Sequence, residues 1–304
     1  MELVYTIEKG RVRIERVLEP DPIVEIPETM EGYPVEELAA YVLAESDVEE
    51  LRLPPQIRKI GAYAFYRCEK LRSIYCYGRA LDLGTGLFAD ARHVAFLDIT
   101  LFEGEKSCLK ELLSELRQTL RVRIHEKQET RLIFPEFYED SVENTPARIV
   151  VVETHGCGPR YRYCFVKTQF QHRDYDELFA HVTVQEPEAL VMELALGRLM
   201  YPCGLTESNE RIYCEYVAEH WELAGRLLIE AHRLDPSRVT NLEAGRIPWL
   251  VEHPGIRDCL AAHMDPAEQL RAYTRLAQEA GDIETVSWLM DRQRPQGRKR
   301  RFEL

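Results

Sequence analysis

The chain has 304 residues, 45% hydrophobic and 30% charged, enough for two domains of ordinary size with a core that needs no disulfide or metal to hold it. No apolar run approaches the roughly 18 to 20 residues that span a bilayer, which argues against an integral membrane protein. The net charge of −13 opposes non-specific attraction to nucleic acid or to an anionic membrane surface.

The opening residues Met1 to Thr6 carry neither a basic segment nor a long apolar one, so no secretory signal is visible and a cytoplasmic location is expected. Leu3 to Ile7 and Val12 to Val17 alternate like the two arms of a hairpin turning at Lys9-Gly10. Eight cysteines are scattered at irregular spacing with no CxxC pair, a pattern that fits reduced thiols packed as small hydrophobes rather than a disulfide framework.

Beyond the hairpin the sequence repeats. Ile60-Gly61-Ala62-Tyr63-Ala64-Phe65 aligns with Leu83-Gly84-Thr85-Gly86-Leu87-Phe88 at an offset of 23, and the same offset carries Leu71 to Val94 and Ile74 to Leu97. Backwards it carries Leu71 to Val48 and Ile74 to Leu51, while Ile60 reaches Leu38 at 22. A period in the twenties with one short Leu-x-Leu element per unit is what a solenoid coil requires, because each coil buries its apolar residues only by stacking on the next. The strand elements are Val24-Glu25-Ile26, Leu51-Arg52-Leu53, Ile74-Tyr75-Cys76 and Leu97-Asp98-Ile99, with outer members inward and the middle residue exposed. Pro27 and Pro54 stand just after their strands, where a missing N–H costs little.

On these residues the chain resembles a known family. Ile26-Pro27, Gly32-Tyr33-Pro34-Val35, Leu53-Pro54, Ile60-Gly61, Ala64-Phe65, Cys68 and Leu71 look like the pattern of the BspA-like class of bacterial leucine-rich repeats. The resemblance covers about residues 1 to 101. The first repeat departs from it with Tyr41, Val42 and Leu43 in place of the Ala-Phe pair, and the third has Gly86-Leu87-Phe88 and lacks the proline.

Leu109, Leu112, Leu113, Leu116 and Leu120 fall at helical spacing, predicting an amphipathic helix over residues 107 to 120 that caps the last coil. Pro135 and the polar run from Glu139 to Pro146 read as a loop. Ile149 to Val152 reads as a buried strand, and Tyr161 to Val166 as its partner beyond the Gly156-Cys157-Gly158-Pro159 turn. Later signals are helical: Pro187 opens a helix bearing Leu190, Val191, Leu194, Ala195 and Leu199, and Pro202 closes it. Asp265-Pro266 starts another, and Gly281-Asp282 ends one helix and caps the next. The phrase from Ala280 to Leu289 resembles the helix–turn–helix joint of ankyrin-type repeats as a single isolated match.

The predicted fold is thus α+β. It comprises a leucine-rich-repeat domain with its hairpin cap over residues 1 to 101, a capping helix and connector over 102 to 130, and a mainly helical domain over 131 to 304 with a small β element and a basic tail.

Chemistry is sparse. His155 and Cys157, with Cys164, His172 and His181 downstream, suggest a thiol and imidazole pair, but spacing alone supplies no charge to stabilise a thiolate, and the close-paired knuckles of a structural zinc site are missing. Arg160-Tyr161-Arg162-Tyr163, with Phe165, Lys167, Phe170, His172 and Arg173, interleaves bases and aromatics like a single-strand platform, although as a strand it would place aromatics on one face and bases on the other. The run Arg298-Lys299-Arg300-Arg301 is a basic tail on an acidic chain.

The reading is therefore of a non-catalytic protein-interaction scaffold without cofactor or metal, whose partner is another protein. The contact row is Glu25, Arg52, Ser73, Tyr75 and Asp98, with Arg52 and Tyr75 as the anchors. A nucleic-acid-associated regulator using the basic tail and residues 160 to 173 is the alternative.

Overall fold

The computed structural model describes residues 1–144, 149–233, 242 and 247–293, so the basic tail lies outside the described residues. The expected hairpin opens the chain: β1 (Glu2–Glu8) pairs antiparallel with β2 (Arg11–Leu18). Lys9 and Gly10 both take positive φ, 52° and 75°, as a two-residue turn matched to strand twist requires. Alternation along β2 buries Val12 and Ile14, and a register shift between Val4 and Tyr5 of the partner strand moves the next inward position to Val17.

There follow β3 (Ile23–Glu25), β4 (Thr29–Met30), β5 (Tyr33–Leu38), β6 (Glu50–Arg52), β7 (Lys59–Ile60), β8 (Ser73–Tyr77), β9 (Asp82–Leu83) and β10 (Phe96–Thr100). β4 pairs only with β5. The others alternate between two sheets: β3, β6, β8 and β10 run parallel in one, while β5, β7 and β9 follow β2 in parallel in the other. Each turn of chain thus adds one strand to each sheet, a solenoid-like stack. Leu51 lies opposite Ile74 and Ile74 opposite Leu97, so the columns spaced 23 apart are neighbouring rungs of one apolar spine. Val24, Ile26, Leu51, Leu53, Ile74, Cys76, Leu97 and Ile99 are all buried, as the alternation predicts.

The side of each coil between the sheets explains the rest of the repeat. A Cβ on Gly61 would sit 2.3 Å from the backbone nitrogen of Ala40, and one on Gly84 would sit 2.2 Å from that of Ala62. Coils approach here backbone to backbone, so only glycine fits. Just beyond, Leu43 N–H donates to Ala64 and Phe65 N–H to Leu87, each over 3.0 Å. The first coil, with Val42-Leu43 for Ala-Phe, is therefore as regular as the next.

The other end differs from expectation. The predicted helix over 107 to 120 is only α1 (Leu109–Glu115), because Leu116 turns extended and Leu120 enters β11 (Leu120–His125). Leu120, Val122 and Ile124 alternate inward, and β11 lies parallel to β10 with Val122 opposite Leu97. α1 is thus the return segment of a further coil. β12 (Glu129–Phe134) then pairs antiparallel with β11 and ends the sheet. The expected boundary at residue 101 falls between two neighbouring strands.

The predicted loop over 139 to 146 is, as far as it is described, a strand: β13 (Tyr138–Asn144) pairs antiparallel with β14 (Ile149–His155). Val152, the one residue of the stretch expected to be buried whose side chain is described, is 57% exposed, as one face of a two-stranded ribbon can be. The predicted partner strand over 161 to 166 is also corrected. Residues Gly158–Arg162 form α2, with Pro159 presetting its first turn, and β15 (Phe165–Val166) pairs with β16 (Gln169–Phe170) instead. The helices α3 (His172–Glu177) and α4 (Phe179–Gln185) follow.

The chain forms two compact units, Met1–Pro187 with Tyr201–Leu205, and Glu188–Met200 with Thr206–Leu304. Among its described residues the second holds α5 (Glu188–Met200), α6 (Glu207–Glu219), α7 (Trp221–Arg233), α8 (Ile247–Glu252), α9 (Pro254–Ala261), α10 (Pro266–Ala280) and α11 (Ile283–Gln293). The predicted caps are in place. Asp265 accepts from the N–H groups of Ala267 and Glu268, Gly281 takes φ 71°, and Asp282 accepts from Thr285. No described helix is long and apolar enough to cross a membrane.

Candidate functional site: the outward sheet face

Strand pairing sets the middle residues of successive strands side by side. Glu25 lies opposite Arg52, Arg52 opposite Tyr75, Tyr75 opposite Asp98, and Asp98 opposite Arg123. The four residues Glu25, Arg52, Tyr75 and Asp98 therefore form the continuous row that the alternation placed there. Ser73 belongs to the same face, since it is two residues from Tyr75, but it is only 9% exposed. It offers a partner little.

The row is held together by charge and ring contacts. Arg52 Nε donates to Glu50 over 2.6 Å, and its guanidinium carbon lies 4.5 Å from the centre of the Tyr75 ring. Partial burial and the nearby Glu50 push the Tyr75 phenol above its ordinary range. Tyr75 in turn meets Phe96 edge to face at 5.8 Å, and Arg123 lies over the same Phe96 at 5.3 Å. Asp98 takes contacts of 3.5 Å from Arg123 and 2.9 Å from His125.

Arg123, His125, Glu129 and Arg131 were not anticipated. The signal was the alternation of Leu120-Arg121-Val122-Arg123-Ile124-His125, obscured because Leu120 also continues the helical spacing of the preceding leucines. Arg131 bonds Glu129 over 2.6 Å and stacks on Tyr201 at 4.3 Å, and both Arg131 and Ile133 are buried. The face is closed at β12 and open over the strands that carry Glu25 and Arg52.

The thiol and imidazole residues do not converge. Cys157 is buried and its Sγ donates to Glu186 over 3.1 Å. Burial and that carboxylate push the thiol up to about 12, the opposite of what a nucleophile needs. Burial raises Cys164 to about 12 as well. His155 stacks on Tyr138 at 4.8 Å, His172 lies 3.4 Å from the Thr130 hydroxyl, and His181 contacts Arg160. The cavity that includes His155, about 580 Å³, has neither Cys157 nor His172 in its wall.

Nor does the 160 to 173 segment form a stacking platform. Tyr161 is fully buried and Arg162 nearly so, with its guanidinium donating to the carbonyls of Leu113, Leu116, Gln118, Pro135 and Gly158. Burial lowers Arg162 to about 10, so it remains a cation at neutral pH. Neither residue can meet a nucleic acid.

No protein-family model matches this chain, and no curated protein matches it. Among solved structures it is similar to a leucine-rich-repeat protein from T. pallidum, at 17% identity over 34% of this chain and 73% of that one, with a TM-score of 0.24. A likeness that loose carries no argument; the stacking of the coils rests on the strand register itself.

Proposed function

We propose that this chain is a protein-interaction scaffold, a BspA-like leucine-rich-repeat solenoid joined to a helical unit, that captures another protein on the row Glu25, Arg52, Tyr75 and Asp98. The observation that carries the reading is the pairing of Arg52 with Tyr75 on the open part of the sheet. Arg52 is fixed from one side by Glu50 and from below by the Tyr75 ring. A guanidinium already held in place loses less freedom when a partner binds, so more of the contact energy appears as affinity. Arginine and tyrosine are also the side chains that most often dominate measured interfaces.

The proposed role is non-catalytic. Its support is that the best nucleophile candidate, Cys157, is held protonated by burial and by Glu186. The eight cysteines are all free thiols, which fits the cytoplasmic location proposed for it.

The test is affinity capture with the full chain, the Tyr75→Ala variant and the Arg52→Ala variant, quantified by mass spectrometry. A shared set of proteins should be depleted with both variants while their circular dichroism matches the parent. Equal recovery with all three moves the interface elsewhere.

A further inference from the structure

The helical unit carries a second cluster of chemically capable side chains, unrelated to the sheet face. Glu210 and Cys214 are four residues apart on α6 and so share one face of that helix. His253 is the N-cap of α9, which packs against α6. One donor atom from each of Glu210, Cys214 and His253 lies within 4.8 Å of the other two.

Two local features bring the thiol to this place. Gly255 follows His253 in the first turn of α9, and a Cβ there would stand 2.7 Å from Cys214 Sγ. The missing side chain is what lets the sulfur approach the start of α9. The imidazole Nδ1 lies 4.0 Å from the same sulfur and accepts from the Ile256 N–H over 3.4 Å, the long end of a hydrogen bond. Its lone pair is only loosely committed to capping.

Glu210, Cys214 and Gly255 also line a cavity of about 560 Å³, with Asp258, Cys259 and His263 elsewhere in its wall. The cluster is therefore reachable from outside the helix packing.

We propose that Cys214, His253 and Glu210 form a zinc-class metal site, three protein ligands whose fourth position opens into this cavity. The donor set selects the metal. A thiolate with an imidazole suits zinc and its neighbours, whereas magnesium and calcium take oxygen donors. Sulfur, nitrogen and carboxylate donors lying this close need only small side-chain rotations to surround one ion at zinc-ligand distances of roughly 2.0 to 2.3 Å. Binding replaces the Cys214 proton, which leaves to solvent, with the metal ion, and no electron is transferred.

The full chain, reduced and freed of metal with a chelator, is titrated with cobalt(II) as a spectroscopic stand-in for zinc. The expected result is a thiolate-to-cobalt charge-transfer band that saturates at one equivalent and is erased by zinc. Cys214→Ser, close in volume, should abolish the band with an unchanged circular dichroism spectrum. His253→Ala should abolish it too, and Glu210→Gln, which leaves the helix packing in place, should weaken it. Cys259→Ser should retain it. The assignment is overturned if the parent gives no saturable band, or if the band survives Cys214→Ser but is lost in Cys259→Ser.

Discussion

The coils between residues 23 and 100 and the connector between residues 135 and 172 are built on opposite principles. In the coils every inward side chain belongs to a column, so Leu51, Ile74 and Leu97 each repeat the same instruction one rung apart. The redundancy tolerates local changes: Val42-Leu43 stands where the next coils have Ala64-Phe65 and Leu87-Phe88, and the lateral hydrogen bonds are the same. In the connector no column exists. There a single guanidinium, Arg162, gathers carbonyls from α1, from the segment after it and from Pro135 just past β12. A column can be read from one sequence because it is written several times, whereas a lone buried arginine looks like any surface arginine.

The sharpest way to break this comparison is to delete one column member. Phe65 is 1% exposed and stacks on Phe88 with ring centres 5.3 Å apart. Phe65→Ala should destabilise the first unit by about 3 to 5 kcal/mol, read from urea unfolding. An unchanged midpoint would remove Phe65 from the core. The connector offers the matching experiment. Arg162→Met should destabilise by about 3 kcal/mol, because carbonyls withdrawn from water lose their donors together. Arg162→Lys should not restore stability, since an ammonium lacks the planar fork that reaches several carbonyls at once. Full rescue by lysine would mean that charge alone matters there.

The same contrast accounts for what was legible. The hairpin, the coil register and the caps at Asp265, Gly281 and Asp282 depend on local rules or on repetition, and all were readable. β11 was missed because Leu109, Leu112, Leu113, Leu116 and Leu120 keep a helical period up to a residue that belongs to a strand. α2 was missed because alternating tyrosine and arginine is the pattern of a half-buried strand, and only the carbonyls brought in from distant residues make Arg162 an interior residue. Of the candidate site, Glu25, Arg52, Tyr75 and Asp98 followed from alternation, while the burial of Ser73 and the pairing of Asp98 with Arg123 and His125 depend on a strand that was read as helix. The cluster of Glu210, Cys214 and His253 gives no sequence signal, since 39 residues separate its cysteine from its histidine.

A smaller effect tests how tightly the columns confine the backbone. Glycine to alanine in an ordinary helix stabilises, because it reduces the freedom of the unfolded chain. Gly61→Ala should instead destabilise by about 2 kcal/mol, since the new Cβ would stand 2.3 Å from the Ala40 nitrogen and the coils must part to admit it. A neutral result would show that neighbouring coils slide freely, and the rigid pitch of the sheet face would go with it.

The smallest expected effect concerns that face directly. Arg52 and Tyr75 sit on adjacent strands of the regular coils, in register but partly in water. Their contact at 4.5 Å is a cation over a ring, worth about 0.5 to 1 kcal/mol at such a site. A double-mutant cycle with Arg52→Ala, Tyr75→Ala and the pair isolates the coupling from the loss of each side chain. Coupling of that size in the free chain means that the pair is assembled before a partner arrives, and its preorganisation contributes to affinity. A coupling of zero means that Arg52 samples many rotamers in solution, and the row then has to be ordered by the partner at the partner's expense.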